Sequence, residues 1–243
     1  MKKNTIKRIS LWSGPRNIST ALMYSFAQRL DTKVFDEPLY AYYLRNSNAK
    51  AYHPGAKDIL ATMENDGNSV VDMMLKSNEK PVLFFKNMSH HLLNLDYSFM
   101  KQMTNVILTR DPLEMLPSFA KVIENPSLDD VGYKLHVDLI AYFETHQIKY
   151  VVLDGKNLLL NPEGVLRQLC EKIDIPFDHA MLSWAPSKRE EDGIWEKYWY
   201  KSVHESSGFG VYESKSEIFP KHLNPLLLQC QSYYEQLKAL ALS

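Results

Sequence analysis

The chain has 243 residues, enough for one large domain, or a domain with a small lid, around a substantial core. Apolar residues make up 45% and charged residues 23% of the chain, which is ordinary for a globular protein. The formal net charge of -1 excludes a global basic field, so we expect no nucleic-acid partner. Anion binding must therefore depend on local basic sites.

The sequence contains no apolar run long enough to span a bilayer, and no apolar stretch of the signal-peptide kind follows its basic start. We therefore expect no membrane partner and a cytoplasmic location. Cys170 and Cys230 each lie in an apolar helical pattern, which predicts two buried thiols and no disulfide framework. The eight histidines show no metal-ligand spacing, so we predict no metal site.

Short apolar runs rich in β-branched and aromatic residues alternate with helical patterns along the chain. The predicted strands are Arg8–Trp12, Lys33–Phe35, Pro81–Phe85, Asn105–Thr109 and Lys149–Leu153. Strands that alternate with helices indicate an α/β fold with a parallel sheet covered on both faces. Ligands of such sheets bind beyond the carboxyl ends of the strands, where we look for chemistry.

Apolar stripes with helical spacing lie between these strands and after the last of them. The stripes are Leu22, Phe26 and Leu30; Leu135, Leu139, Tyr142 and Phe143; and Val165, Leu166, Leu169, Cys170 and Ile173. The helix that carries the third of these stripes begins with Asn161 as N-cap, Pro162 at the first position and Glu163 in the first turn. Another amphipathic helix is predicted near Leu223–Leu242.

Residues 187–220 differ from the rest of the chain, because they are rich in Trp, Tyr, Lys and Glu and have no clean period. A long segment of this kind is usually functional or disordered, and we interpret it as a partly ordered lid or flap. Its aromatic cluster comprises Trp195, Tyr198, Trp199 and Tyr200. These rings could stack on a base, cover a substrate, or simply pack the lid onto the core. We interpret residues 1–243 as one domain that carries this lid.

The first predicted strand leads into a loop that has the features of an anion site. The loop is Ser13, Gly14, Pro15, Arg16, Asn17, Ile18, Ser19 and Thr20, and a helix follows it. Free backbone N–H groups and the positive end of the helix favour a bound anion, and Arg16 adds a planar cation suited to phosphate or sulfate. The alternative is a helix simply capped by Ser19 or Thr20. The loop lacks the second glycine and the lysine of a Walker A motif.

A second basic position follows the fourth predicted strand. Asp111, Pro112 and Glu114 indicate a helix start, with a cap, a first-position proline and a capping-box acid. Arg110 therefore lies at the carboxyl end of a strand, and Ser118 lies on the helix that follows. The alternative for this pair is a surface arginine and an ordinary helix serine.

The loop resembles the PRSGST-type phosphosulfate loop of bacterial and carbohydrate sulfotransferases. Pro15, Arg16, Ser19 and Thr20 match that motif, whereas Ile18 stands where the family usually has glycine. The resemblance covers roughly residues 7–177 and implies a three-layer P-loop-type fold with a central parallel sheet and helices on both faces. It also implies 3′-phosphoadenosine 5′-phosphosulfate (PAPS) as the donor substrate, bound by the whole loop without a metal.

The same resemblance assigns roles at the other strand ends. Arg110 and Ser118 match the family's strand-RDP-x5-S site and would hold the 3′-phosphate of the nucleotide. Lys86 ends the third strand much as the family's strand-three lysine does, and would stabilise the transferring group together with Arg16. The segment Lys149–Phe177 is similar to the family's late strand and its following helix.

A base must remove the proton of the acceptor. Glu37 precedes a proline, which restricts it to extended geometry, and matches the Glu-Pro pair that some bacterial members use as base. Asp36 is a weaker candidate, and an exposed or helix-start acid is the alternative interpretation of Glu37. The rival bases are His90 and His91, although the family's histidine lies two residues after the lysine, where this chain has Met88. Surface or capping roles are the alternative for both histidines.

These observations predict a sulfotransferase that acts on a hydroxyl or amine of a small-molecule acceptor. Two alternatives remain open, a small-molecule or nucleotide kinase on a related fold and a non-catalytic nucleotide-binding module. The missing Walker lysine argues against the kinase. Ile18 and the absence of a histidine two residues after Lys86 leave the non-catalytic module open. We expect the acceptor pocket to be built from Tyr40–Lys50, the segment near His90 and the lid, although these features do not define a substrate. The sequence identifies neither the acceptor nor the oligomeric state.

Overall fold

The structure, a computed structural model, describes residues 6–213 and 218–243. Its centre is a parallel five-stranded sheet in the order β2-β3-β1-β4-β5. The strands are β1 (Lys7–Ser13), β2 (Thr32–Asp36), β3 (Val82–Met88), β4 (Thr104–Thr109) and β5 (Tyr150–Asp154). The predicted sheet is therefore confirmed. The third strand runs three residues further than predicted, so Lys86 lies inside it.

Helices connect the strands and surround the sheet. The α-helices are α1 (Ser19–Ala27), α2 (Tyr40–Asn46), α3 (Ala56–Thr62), α4 (Gly67–Lys76), α5 (Pro112–Ala120), α6 (Leu128–Val131), α7 (Tyr133–Thr145), α8 (Gly155–Leu160), α9 (Pro162–Lys172), α10 (Glu196–Trp199), α11 (Lys201–His204) and α12 (Asn224–Ala239). Short 3-10 helices cover Asn48–Ala51, Ser89–Leu92, Tyr97–Gln102, His179–Leu182 and Lys221–Leu223.

Two separate apolar clusters lie on opposite faces of the sheet. Trp12 of β1 belongs to the cluster that includes α5, α7 and α12, whereas Ile9 and Leu11 belong to the cluster that includes α1 and α9. Successive strand residues point to opposite faces, so one strand contributes to both clusters. This arrangement is the three-layer α/β architecture that the sequence predicted. Cys170 and Cys230 are free, buried thiols in these clusters, as predicted.

The first helix is shorter than its apolar stripe suggested. Leu22 and Phe26 are buried in α1, but the helix ends at Ala27, and Leu30 is 92% exposed. The buried residue of this turn is Arg29, whose guanidinium donates to Asp31 and to the Pro176 carbonyl. These bonds turn the chain toward β2, so the placement of Leu30 on the buried face was wrong.

The other two predicted apolar stripes and the predicted N-cap at Asn161 are confirmed. Helices α7 and α9 carry the expected apolar residues, and Asn161 caps α9 by accepting from Gly164 N. Helix α12 lies within the predicted range, although a 3-10 turn replaces its first residues. Among the described residues, no helix is long and apolar enough to cross a membrane.

The predicted lid is ordered over 187–213, where α10 and α11 form, while 214–217 lie outside the described residues. Two of its aromatic residues anchor it: Trp195 is 2% exposed and Tyr200 is 4% exposed. Both pack in an apolar cluster with α2 and α3. Lid movement, and the assignment of residues 1–243 to one domain, remain predictions.

Candidate functional site

The parallel strands bring the predicted site residues to one edge of the sheet. Asp36, the last residue of β2, lies beside Lys86 in β3, and Ser13, the last residue of β1, lies beside Met88. A cavity of about 420 Å³ opens there. Its lining includes Pro15, Arg16, Asn17, Ile18, Ser19, Thr20, Glu37, Lys86, His90, Arg110 and Ser118. The remaining two predicted loop residues, Ser13 and Gly14, are buried and do not line the cavity.

The loop after β1 is fixed by its own backbone and by Asn17. The Asn17 side chain donates to the Leu108 carbonyl of β4 at 3.0 Å. A Cβ on Gly14 would lie 2.7 Å from the Val131 carbonyl oxygen, so this position requires glycine. Because the backbone passes so closely, the loop is held against β4 and α6 before any ligand binds.

Helix α1 begins at Ser19 with its first-turn N–H groups directed at the loop. Its N-cap residue is Ile18, and within the described chain no side chain caps the helix. The alternative in which Ser19 or Thr20 serves as the cap is therefore wrong. The first N–H groups of an uncapped helix lack intrahelical partners and form a natural anion site.

The loop contains two non-glycine residues in the left-handed region. Arg16 has φ 55° and Ile18 has φ 59°. This conformation is costly for a β-branched residue such as Ile18, and strain of this kind tends to occur at functional sites. The position where the resembling family has glycine is thus one where the backbone itself favours glycine.

Two arginines and a serine form a connected group beside the loop. Arg16 Nε donates to Ser118 Oγ at 3.0 Å, and its Nη1 donates to the Trp199 carbonyl at 3.1 Å. Arg110 Nη1 donates to the Arg16 carbonyl at 3.1 Å. Burial and the neighbouring Arg110 lower the pKa of Arg16. This excess of positive charge, partly shielded from water, favours an anion.

The acid predicted to complete a capping box has another role. Asp111 caps α5 by accepting from Leu113 N, as expected. Glu114 instead accepts from Arg110 at 3.2 Å and from the Tyr212 hydroxyl at 2.5 Å. It therefore orients Arg110 and ties the lid to α5.

A buried ionic cluster lies at the ends of β2 and β3. Lys86 Nζ donates to Asp36 Oδ1 at 2.8 Å, to Glu37 Oε1 at 2.5 Å and to the Tyr200 hydroxyl at 2.6 Å. The Tyr200 hydroxyl is also within 2.9 Å of Asp36 Oδ1 and receives a bond from Trp195 Nε1 at 3.1 Å. The Lys86 side chain has no exposed area. The lid thus supplies one member of the cluster.

The cluster controls the protonation of Glu37. Burial raises the pKa of Glu37 to about 6, although the charge of Lys86 acts against this rise. Burial opposes the charge on Lys86, but Asp36 and Glu37 raise its pKa, so it stays protonated. Glu37 is 5% exposed, and its N–H donates to the Lys86 carbonyl at 2.7 Å. Its φ of 43° lies in the left-handed region, so the extended geometry expected before Pro38 was wrong. It is neither an exposed acid nor a helix-start acid.

Of the two candidate histidines, His91 is buried and His90 is half-buried, so the surface interpretation was wrong for His91. His91 is 1% exposed and stacks between Tyr40 and Tyr43, with centroid distances of 4.8 and 4.7 Å. The His90 ring contacts Tyr43 and His91 edge-on. Burial lowers the pKa of His90 to about 3 and that of His91 well below its usual value. Both imidazoles are therefore neutral at physiological pH.

The cavity also contains residues of the segments expected to form the acceptor pocket. Tyr40 and the lid residue Phe209 line it, and so does His53, which was not predicted. The Tyr40 hydroxyl lies 2.8 Å from His53 Nδ1. The aromatic cluster that contains Tyr200 was noted in advance, but its spacing gave no indication that the hydroxyl would contact Lys86.

No cluster of three or more metal-ligating side chains occurs in the part of the chain that the structure describes. A family model described as "Sulfotransferase domain" matches residues 7–241. This match extends well beyond the segment that resembled the family by its motifs, and it includes the lid and α12.

Two curated relatives from Arabidopsis thaliana carry a different kind of name. "Branched-chain-amino-acid aminotransferase-like protein 1" is 39% identical over 233 residues, and "protein 2" of that name is 38% identical over 232 residues. Each alignment covers 95% of this chain and 41% of the relative. The chain thus spans about two fifths of the length of these relatives.

Solved structures of sulfotransferase domains share the fold. The domain from the Synechococcus PCC 7002 olefin synthase has a TM-score of 0.61 at 15% identity, covering 96% of both chains. The domain from the curacin biosynthetic pathway has a TM-score of 0.55 at 15% identity, covering 97% of this chain and 99% of that one. At these identities the likeness concerns the fold alone.

Proposed function

This chain belongs to the sulfotransferase domain family, and we propose that it transfers the sulfuryl group of PAPS to a hydroxyl or amine of a small acceptor. The observation that carries the proposal is the uncapped start of α1 facing two arginines at the strand ends. Free N–H groups, Arg16 and Arg110 together suit a ligand with more than one anionic group.

The two arginines are assigned to different ends of the donor. Arg16 belongs to the loop itself, so its proposed partner is the 5′-phosphosulfate. Arg110 and Ser118 lie on β4 and α5, and their proposed partner is the 3′-phosphate. In the ligand-free protein Ser118 Oγ and the Trp199 carbonyl hold the Arg16 guanidinium. Donor binding would exchange these contacts for charge-assisted ones, which are stronger.

The proposed reaction is a direct displacement at sulfur. The Glu37 carboxylate takes the acceptor proton while the acceptor oxygen or nitrogen forms a bond to sulfur. The bond from sulfur to the 5′-phosphate oxygen breaks, and 3′-phosphoadenosine 5′-phosphate (PAP) leaves with that electron pair. Lys86 and Arg16 supply positive charge near the transferring group, where charge changes during the reaction. His90 has no contact with Lys86 or Glu37 in the described structure, but it remains the rival base.

Thermal unfolding with PAP tests the donor assignment. A ligand that binds only the native state stabilises it by about 2.7 kcal/mol at one hundred times its Kd. We expect PAP to raise the melting temperature with or without magnesium, and AMP or ATP at the same concentration to do so much less. Equal stabilisation by AMP would mean that the 3′-phosphate is not recognised. A magnesium-dependent effect of ATP with phosphoryl transfer would favour the kinase.

A pair of variants sharpens this test. Arg110→Ala should weaken PAP binding by about 1.5–3 kcal/mol, the value of a charge-assisted contact, and should affect adenosine 5′-phosphosulfate much less. Arg16→Ala should weaken the binding of both nucleotides. If Arg110→Ala weakened both equally, Arg110 would be structural, through its bonds to Glu114 and the Arg16 carbonyl.

A further inference from the structure

The lid contacts the ionic cluster through Asp36, the last residue of β2. The Gly193 N–H donates to Asp36 Oδ2 at 2.9 Å, and the Tyr200 hydroxyl lies 2.8 Å from the same oxygen. A Cβ on Gly193 would clash with the Trp195 ring, so the lid backbone can take this path only with glycine there. Asp36 is therefore bonded to two groups of the lid as well as to Lys86.

These contacts use the full hydrogen-bonding capacity of Lys86 and Tyr200. The Lys86 ammonium has three N–H donors, and Asp36, Glu37 and Tyr200 each accept one of them. The Tyr200 hydroxyl donates its proton to Asp36 and accepts from Lys86 and from Trp195 Nε1. Because every donor and acceptor of the two groups has a partner, the arrangement fixes the ammonium against Glu37.

The same contacts make Asp36 unsuited to be the base itself. Its side chain is 1% exposed, and it is not one of the residues that line the cavity, whereas Glu37 is. Its two oxygens already accept from Lys86, Tyr200 and Gly193. An acceptor in the cavity can therefore reach Glu37 but not Asp36.

Asp36 nevertheless acts on Glu37 through its charge. Lys86 lowers the pKa of Glu37, whereas the Asp36 carboxylate raises it. With Glu37 as its single anionic partner, Lys86 would hold that carboxylate in its charged form and weaken it as a base. Asp36 shares the cation and leaves Glu37 with affinity for a proton. The other titratable groups that face Glu37 are Tyr40 of α2 and Tyr200 of the lid, and both are neutral because burial raises the pKa of each hydroxyl.

We propose that Asp36 and Tyr200 are positioning residues, which hold Lys86 so that it orients Glu37 while its charge is shared with Asp36. The docked lid thereby completes the base. This inference rests on the proposed sulfuryl transfer, in which Glu37 takes the acceptor proton. It removes Asp36 from the candidate bases and gives the lid a part in the reaction beyond covering the cavity.

Titration of the Glu37 carboxyl tests the inference without an acceptor. Protein labelled with 13C at the side-chain carboxyl of glutamate is titrated by NMR from about pH 4 to 8, and Glu37 is the resonance that Glu37→Gln removes. We expect a midpoint near the pKa of about 6 in the wild-type protein. Asp36→Asn should lower this midpoint by about one pH unit, because a like charge is lost and Lys86 acts on Glu37 alone. An unchanged or raised midpoint would overturn the inference.

A matched substitution separates this charge effect from loosening of the lid. Asp192 is a second buried carboxylate that holds the lid, since it accepts from the Tyr24 hydroxyl of α1 at 2.7 Å and from Arg189 N at 2.9 Å. Asp192→Asn makes the same chemical change at a lid contact outside the ionic cluster, and should leave the midpoint in place. An equal fall in the two variants would mean that an opened lid exposes Glu37 to water, which would contradict the role of Asp36.

The two tyrosines that bond to the lid carboxylate and to the cluster provide a second matched pair. Tyr200→Phe removes a hydrogen bond that favours the charged form of Glu37, so the midpoint should rise, whereas opening of the lid would lower it. Tyr24→Phe removes a buried hydroxyl of the same kind, bonded to Asp192, and should leave the midpoint unchanged. A midpoint that fell in Tyr200→Phe would reduce this tyrosine to a prop of the lid.

The titration and the reaction can fail separately. If Glu37 titrates as expected in all variants but no compound accepts a sulfuryl group from PAPS, the arrangement of the cluster stands and the proposed function fails. If sulfuryl transfer is observed but Asp36→Asn titrates like Asp192→Asn, the inference fails and the proposed function stands.

Discussion

The two parts of the cavity handle charge in opposite ways. At the donor site, Arg16 and Arg110 lie close enough for burial and mutual repulsion to lower the pKa of Arg16, and carbonyl and hydroxyl oxygens meet part of their hydrogen-bonding demand. At the ionic cluster, Lys86 has two carboxylates within 2.8 Å. The first arrangement has excess positive charge, and the second is slightly negative.

This difference explains how one cavity could hold two unlike substrates. An anionic nucleotide gains from the uncapped helix and from two arginines that only one carboxylate, that of Glu114, contacts. The proposed acceptor would instead present its hydroxyl or amine to Glu37 in the other part of the cavity. The two sites meet at Lys86 and Tyr200, where the lid touches the sheet. Variants at either site should therefore damage one function and spare the other, and the predictions below test that separation.

The largest expected effect comes from Glu37→Gln. Glutamine keeps the shape of the side chain but cannot accept the acceptor proton, and loss of a general base typically costs a factor of about 100 to 10,000 in rate. The affinity for PAP should stay nearly unchanged, because Glu37 belongs to the other part of the cavity. Initial rates of sulfuryl transfer to an acceptor found by screening hydroxyl and amine compounds, together with PAP calorimetry, measure both quantities.

Histidine variants provide the control for this experiment. His90→Ala removes the rival base without touching the ionic cluster. A rate near the wild-type value for Glu37→Gln, with collapse for His90→Ala, would transfer the role of base to the histidine. A modest loss of rate in both variants would mean that Arg16 and Lys86 provide most of the rate enhancement.

The geometry of the proposed donor site could largely be predicted from the sequence, because its parts are local. The loop after β1 and the Arg110 segment after β4 each combine a strand end, turn residues and a helix start within a few residues. Parallel strands then bring the two segments together without further information. The bond from Arg16 to the Trp199 carbonyl could not be predicted, since it joins residues 183 positions apart.

The other part of the cavity was predictable only as a set of segments, the one that begins at Tyr40, the one near His90 and the lid. It combines α2, residue His53 and the turn after β3, which are separated in the chain, so their mutual contacts could not be predicted. Sequence periodicity marks buried faces but does not say which rings will stack. The sequence therefore allowed His90 and His91 to be interpreted as surface residues. In the structure His91 packs between Tyr40 and Tyr43, and His90 contacts Tyr43, and these contacts could not be predicted. The role of Tyr200 could not be predicted, because its hydroxyl contacts Lys86 only through the tertiary fold, 114 residues apart in the chain.

A smaller but more specific effect concerns pH. Glu37 accepts a proton only when ionised, so kcat/KM for the acceptor at saturating donor should fall as the pH drops below about 6, the raised pKa of this carboxyl. If His90 were the base, its pKa of about 3 would leave the rate unchanged through that range. A rate profile between pH 4.5 and 8 therefore distinguishes Glu37 from His90 as the base.

Variants of the ionic cluster should move this midpoint in a known direction. Lys86→Met removes the cation that lowers the pKa of Glu37, so the midpoint should move upward by about one unit or more. Tyr200→Phe removes a hydrogen bond with the same sign and should shift it less. The 3′-phosphate of the donor also titrates near pH 6. A midpoint that persisted in Glu37→Gln would therefore belong to the donor rather than to Glu37.

The smallest expected effect concerns the strained loop. Ile18 has φ 59°, a conformation that glycine adopts freely and alanine does not. Ile18→Ala and Ile18→Gly both remove the partly buried side chain, but only glycine relieves the backbone. The glycine variant should therefore be more stable than the alanine variant by about 1 kcal/mol in urea unfolding, despite its more flexible unfolded chain.

Gln147 provides a matched control for the loop, because it has φ 55° in an exposed turn before β5. Gln147→Gly should likewise be more stable than Gln147→Ala, while neither variant should alter PAP binding. At Ile18 the same order should be accompanied by a change in nucleotide affinity, since this residue lines the cavity. An alanine variant as stable as the glycine variant at Ile18, with the expected order preserved at Gln147, would mean that the loop relaxes its backbone. The strain at Ile18 would then play no part in holding the N–H groups of α1 toward the donor.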